Sequence, residues 1–175
     1  MKNTFGKNII PIDENKRIEE VYKYAELNGT ADKYFNEMAF IIAKCFSTPI
    51  ALISLVGNDH VEFKGNFGLA EVNTVDRGAS LCSLAILDSE PTIFMDATKE
   101  PCLLANPFVA GDFGLKFYAG APITTKNGHN IGTVCVVDKN PRKIDGEEID
   151  LLKAFANNVI RELEYRLILV ETISE

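Results

Sequence analysis

The chain has 175 residues, of which 46% are hydrophobic and 25% charged, with a net charge of −7 and a pI near 4.9. That length and balance suit one globular core and exclude a disordered chain. The acidic charge disfavours nucleic acid and anionic membrane surfaces, and with no signal-like leader or spanning stretch the expected location is the cytoplasm.

Residues 1–13 carry Gly6 and Pro11 and no periodic pattern, so they are predicted to be a tail or a surface strap. Residues 14–175 are predicted to form one domain. Ile18, Val21, Tyr22 and Ala25 share one helical face over Glu14 to Asn28, with Asn28-Gly29 as the stop. A second helix is predicted from Ala31 to Phe46 on Tyr34, Phe35, Met38, Ile41, Ile42 and Cys45, ending before Ser47-Thr48-Pro49.

Ile50 to Val56 is apolar on both faces apart from Ser54, the pattern of a central strand. After the Gly57-Asn58-Asp59 turn, Val61, Phe63 and Gly65 alternate with Glu62, Lys64 and Asn66, which predicts a hairpin partner with one wet face. Thr92 to Met95 is a short strand candidate. Lys116 to Thr124 and Ile131 to Val137 flank Lys126-Asn127-Gly128, a second hairpin signal. The later strand is again apolar on both faces, so the two central strands are expected side by side. Gly120 and Pro122 point to a bulge or a strand end.

Asp145 to Ser174 opens with Asp145 and Glu148 in capping-box positions and repeats Ile149, Leu152, Ala156, Val159, Leu163, Leu167 and Val170 at three- and four-residue steps. A helix of about 29 residues reaches roughly 40 Å, more than this domain can cover, so its second half is expected to project and pair.

The fold class that follows is α/β (α+β), with a central antiparallel sheet of five to six strands and helices on one face. Phe67 to Leu115 must cover the other face with loops, and a ligand cavity is expected beneath them. Cys45, Cys82, Cys102 and Cys135 form no CxxC pair, and His60 and His129 sit in predicted turns, where exposure is expected, so no metal site and no general base is expected. Cys45 and Cys135 lie on apolar faces and are expected in the core. Asp112-Phe113-Gly114 has no kinase motifs around it and reads as a turn.

The strings RGASLC (77–82), MDAT (95–98), NPFVAG (106–111), FYAGAP (117–122) and IGTVCVVD (131–138) followed by NPR (140–142) resemble GAF domains. More narrowly, they are similar to the GAF domains that precede bacterial sensor histidine kinases and diguanylate cyclases. The resemblance implies a PAS-like sheet with a pocket under its loops and pairing through terminal helices. It carries pocket roles to Arg77, Ser80, Cys82, Asp96, Asn106, Phe117 and Tyr118, and the bulky lid residue Phe108 is a further pocket candidate, with Phe113 and Phe117 also bulky enough to fill the space; Phe117 and Tyr118 face opposite sides of their strand, so one lines the pocket. Arg77 and Asp96 are candidates for a mutual pair that pins the loops, or for ligand contacts. Cys82, with Arg77 near it in sequence, and Cys102 are redox candidates.

The chain departs from the family where Leu84 stands in place of a His and Glu100-Pro101-Cys102-Leu103 replaces an Asp-x-Arg-Phe run, which removes two groups suited to an anionic ligand. The expected function is a non-enzymatic signalling module that binds a small molecule or responds to redox state, forms a homodimer and hands its signal to a partner protein, with no fixed cofactor. The alternatives are a thiol-dependent free methionine sulfoxide reductase and a dimerisation scaffold whose pocket is filled by its own side chains.

Overall fold

The computed structural model describes residues 1–27 and 32–173. Six antiparallel strands form one sheet in the order β3-β2-β1-β6-β5-β4. These are β1 (Ile50–Val56), β2 (His60–Phe67), β3 (Thr74–Asp76), β4 (Thr92–Phe94), β5 (Phe117–Thr124) and β6 (Asn130–Asp138). The two apolar strands do pair at the centre, with Leu52 opposite Cys135 and Ser54 opposite Thr133. β3, too short to leave a periodic signal, closes one edge against β2.

Helices α1 (Glu14–Ala25), α2 (Lys33–Phe46) and α5 (Gly146–Ile173) cover one face. The Asn28-Gly29 stop and the Ala31 start lie outside the described residues, and α2 opens instead on Asp32, whose carboxylate accepts from the Tyr34 and Phe35 amides. The capping box of α5 is present, with Asp145 and Glu148 exchanging bonds of 2.9 and 3.1 Å. No helix among the described residues is long and apolar enough to cross a membrane.

Over the opposite face lie α3 (Cys82–Ala85), α4 (Pro107–Ala110) and 3₁₀ turns at Ala97–Lys99 and Pro101–Leu103. The N-terminal segment joins them: Phe5 and Ile9 are buried in the same lid-side core, and Thr4 bonds the Gly78 carbonyl.

Four expectations change. The clean alternation of β2 breaks, because Lys64 is an extra residue between pairs Ile53–Gly65 and Ser54–Phe63. Val61 and Phe63 therefore face the lid, while Gly65 packs against the Phe35 backbone and Lys64 is buried with its amine on Glu62 and the Ala25 carbonyl. β5 runs unbroken through Gly120 and Pro122, its one irregularity falling at Ile123/Thr124. Cys45 is exposed: the face of α2 that meets the sheet is Phe35, Ala39, Ile42, Ala43 and Phe46, and Cys45 falls on the adjoining stripe with Tyr34 and Ile41. His129 is mostly buried against the Asp13 carboxylate, whereas His60 stays exposed beside Asp59.

α5 carries two stripes. Leu152, Ala156, Val159, Ile160 and Leu163 are buried against the sheet, and no described residue beyond Leu163 is buried. Leu151, Tyr165 and Leu169 are exposed on a second face, and Ile168 and Ile173 near the end are exposed too.

Candidate functional site

Alternation along the strands decides what meets the lid. Ile50, Leu52 and Ser54 of β1 share a face with Thr133, Cys135 and Val137 of β6 and Tyr118 of β5, while Ala51, Ile53, Val134, Val136 and Phe117 face the helices. Between that face and the lid lies a cavity of about 140 Å³. Its floor is Ile50, Leu52, Phe63, Tyr118, Cys135 and Val137; its roof is Leu69, Val72, Ser80, Leu81, Cys82, Phe108, Phe113 and Leu115, with Val75 at the sheet edge. No charged side chain is among the lining residues. Val72 is exposed, and Leu69, Val75, Phe108 and Phe113 are partly so, which places the mouth between the β2–β3 loop and α4.

The polar members of the lining are Ser80, Cys82, Tyr118 and Cys135. Cys82 and Cys135 are both buried and both line the cavity, close enough for each to shift the ionisation of the other. The Tyr118 hydroxyl donates to Cys82 Sγ at 3.6 Å, and the Ser54 and Thr133 hydroxyls, bonded to each other at 2.9 Å, lie near enough to influence that sulfur. The neighbouring Cys135 thiol, and behind it the Thr133, Ser54 and Tyr118 hydroxyls, outweigh burial and draw the Cys82 thiol below its ordinary range. Cys135 is pushed up by Cys82 beside it and by burial, and Tyr118 by burial first and then by the two thiols near it. Gly120 makes this geometry possible: a Cβ there would lie 2.3 Å from the Tyr118 hydroxyl, so only a glycine lets the ring lie along its own strand.

Of the eight pocket candidates, Ser80, Cys82, Phe108 and Tyr118 line the cavity and the others do not. Phe117 faces the helices beneath the Arg142 guanidinium. Asn106 caps α4 through the Phe108 amide and bonds the Ala79 carbonyl and Thr4. Asp96 caps its 3₁₀ turn through Thr98 and pairs with Lys99. Arg77 does not meet Asp96, nor does it serve Cys82, whose donors are neutral. It is fully buried against Glu14 at 2.5 Å and the carbonyls of Gly57, Asn58 and Ile9. Arg17, equally buried, binds the same carboxylate at 2.8 Å and the Val56 carbonyl. This Arg17–Glu14–Arg77 triad ties α1, the end of β1 and the lid together. The redox candidate Cys102 is half-buried on a 3₁₀ turn outside the cavity lining.

Sequence reasoning takes Cys135 as core packing and does not single out Ser54 or Thr133 for the site, whereas Phe113, expected as a bulky lid residue, does line the cavity. The available signal was parity: once β1 and β6 are paired, Ser54, Thr133 and Cys135 must share a face. Among the described residues no group of three or more His, Cys, Asp or Glu is placed to hold a metal ion.

Comparison with known proteins agrees with this architecture. The family model for the GAF domain matches residues 32–163. A cyclic di-GMP phosphodiesterase, PA2567 of Pseudomonas aeruginosa, is 35% identical over 154 residues, covering 87% of this chain and 26% of that protein. The chain thus spans about a quarter of the length of that relative. The fold is shared with a domain of a two-component sensor histidine kinase protein from Sinorhizobium meliloti, at a TM-score of 0.63 and 18% identity, over 82% of this chain and 97% of that one. It is shared too with the type II free methionine-R-sulfoxide reductase of Thermoplasma acidophilum, at a TM-score of 0.62 and 14% identity, over 75% and 91%. This chain belongs to the GAF domain family.

Proposed function

We propose that this GAF domain is a sensor whose cavity takes a compact, uncharged, mainly apolar molecule and whose helices carry the change to a second copy of the chain. The cavity supports the first part. Its roughly 140 Å³ is close to the volume of about 150 Å³ that accepts a benzene-sized guest in an engineered apolar site. A cyclic dinucleotide with two phosphates suits neither that volume nor a lining without cations.

Thermal denaturation with a panel of uncharged five- to ten-atom aromatic and aliphatic compounds tests this reading. A compound present at about 100 times its Kd should add about 2.7 kcal/mol, a rise of roughly 5–11 °C in Tm for a domain of this size. Val75→Trp at the mouth should abolish the rise. A panel without a single shift, or shifts that persist unchanged in Val75→Trp, would overturn it.

The exposed stripe of α5 favours the second part. Leu151, Phe155, Asn158, Glu162, Tyr165 and Leu169 recur at heptad spacing, and Tyr34, Met38 and Ile41 of α2 extend the patch across a groove that Phe155, Asn158 and Glu162 also line. The seam read from the sequence is largely spent on the sheet, so this second stripe is the one left to pair. Light scattering at high micromolar concentration should show a dimer, and Tyr165→Glu with Leu169→Glu should give a folded monomer. A monomeric unmodified chain would overturn dimerisation.

A further inference from the structure

We propose that Cys82 and Cys135 form a paired-thiol site that is oxidised to a disulfide by small organic hydroperoxides entering the cavity. Three observations carry it. The two thiols line the same cavity, and the Tyr118 hydroxyl that reaches Cys82 lies over Gly120, the cross-strand partner of Cys135. The groups around Cys82 Sγ are donors, the Tyr118 hydroxyl at 3.6 Å among them, and donors around a sulfur favour its nucleophilic anion. The rest of the lining is uncharged and, apart from Ser80, apolar, so it admits an alkyl hydroperoxide more readily than a charged or strongly hydrated oxidant.

The chemistry balances without a cofactor. The Cys82 thiolate attacks the terminal oxygen of R–O–OH, the O–O bond breaks, and the departing alkoxide takes up the proton that Cys82 lost on ionising. Cys82 is left as a sulfenic acid and ROH is released. The Cys135 sulfur then attacks the Cys82 sulfur, the S–O bond breaks, and hydroxide leaves as water with the Cys135 proton. Two thiols and one hydroperoxide give a disulfide, an alcohol and water; the sulfurs lose two electrons and the peroxide gains them. Cys82 sits on α3 of the lid and Cys135 at the centre of the sheet, so the bond would fasten the lid to the floor of the cavity.

The inference rests on the cavity being open to small uncharged molecules, as proposed above. Cys45 is exposed and Cys102 half-buried, so both are replaced first, giving Cys45→Ser/Cys102→Ser. Treated with tert-butyl hydroperoxide, this folded variant should lose two hydrogens by intact mass and yield a linked Cys82–Cys135 peptide, faster than with hydrogen peroxide. In the same background Cys135→Ser, or Cys135→Ala should the serine form not fold, should stop at a Cys82 sulfenic acid trapped by dimedone. Tyr118→Phe should slow the reaction roughly 3- to 10-fold, the worth of one hydrogen bond to the reacting sulfur.

Absence of the linked peptide, or hydrogen peroxide acting as fast as the alkyl hydroperoxide, would overturn the proposal. If uncharged ligands still raise Tm while no linked peptide forms, the thiol site alone fails. If neither occurs, the cavity reading fails with it.

Discussion

Replacing Glu14 with Ala should lower stability by about 3 kcal/mol and Tm by roughly 6–12 °C, one of the largest losses available to a single side chain here. Glu14 is the only acid of the buried triad. Its carboxylate meets Arg17 at 2.8 Å and Arg77 at 2.5 Å, and both arginines are completely buried. Removing it leaves two like charges facing each other away from water, held only by carbonyls such as those of Val56 and Gly57. Those carbonyls are why the figure sits at the low end for breaking a buried ion pair. Glu14→Gln, which keeps hydrogen-bonding oxygen but no charge, should fall between.

The loss should also depend on pH. Burial pushes the Glu14 carboxyl up, but hydrogen bonds from Arg17 and Arg77 and then their charges more than reverse this, leaving it below the ordinary 4.5. A carboxylate depressed in the folded state contributes stability that is complete above its unfolded pKa and vanishes as pH falls through the folded one. Urea denaturation should therefore show the full gap between wild type and Glu14→Ala at neutral pH and a closing gap once the pH drops below 4.5. A gap that stays constant into acid would mean that Glu14 acts through packing and not through its charge.

The triad also shows where the sequence stopped being informative. Glu14 and Arg77 are 63 positions apart, and no local spacing marks them as partners, so Arg77 was legible only as a family position. What alternation governs was readable: β1 has the predicted bounds, and its pairing with β6 followed from two doubly apolar strands. The β2 bulge was hidden because Lys64 looks like an ordinary outward-facing polar residue until its amine is seen on Glu62 and the Ala25 carbonyl. Cys45 failed for the opposite reason: the apolar stripe of α2 is wider than the face the sheet can use, and only packing says which half is covered. In the site, parity separated Phe117 from Tyr118 but could not say which side carries the lid. Ser80, Cys82 and Phe108 were reachable from motifs; the placing of Cys135, Ser54 and Thr133 on one face beneath the lid required the register.

That register depends on a glycine whose replacement should be at least as damaging as the loss of Glu14. A Cβ at Gly132 would stand 1.8 Å from the Ser54 carbonyl oxygen, 2.8 Å from its carbon and 3.0 Å from Leu55 Cα. These are backbone atoms of β1, which β2 holds from the other side, with a bulge beside the same Ser54. Nothing flexible can give way, unlike at Gly120, where the obstructing atoms belong to the Tyr118 ring. Gly132→Ala should therefore cost about 3 kcal/mol or more, above most overpacking substitutions, and deplete soluble protein. Gly146→Ala, where a Cβ meets nothing within 4 Å, should leave Tm unchanged and serves as the control. A Gly132→Ala chain that melts within a degree or two of wild type would show that β1 and β6 can separate locally. Because Gly132 precedes Thr133 and lies opposite Leu55, that separation would also pull apart the Ser54 and Thr133 hydroxyls beneath Cys82. The thiol site should then fail in any Gly132 variant that folds, even though Gly132 does not line the cavity.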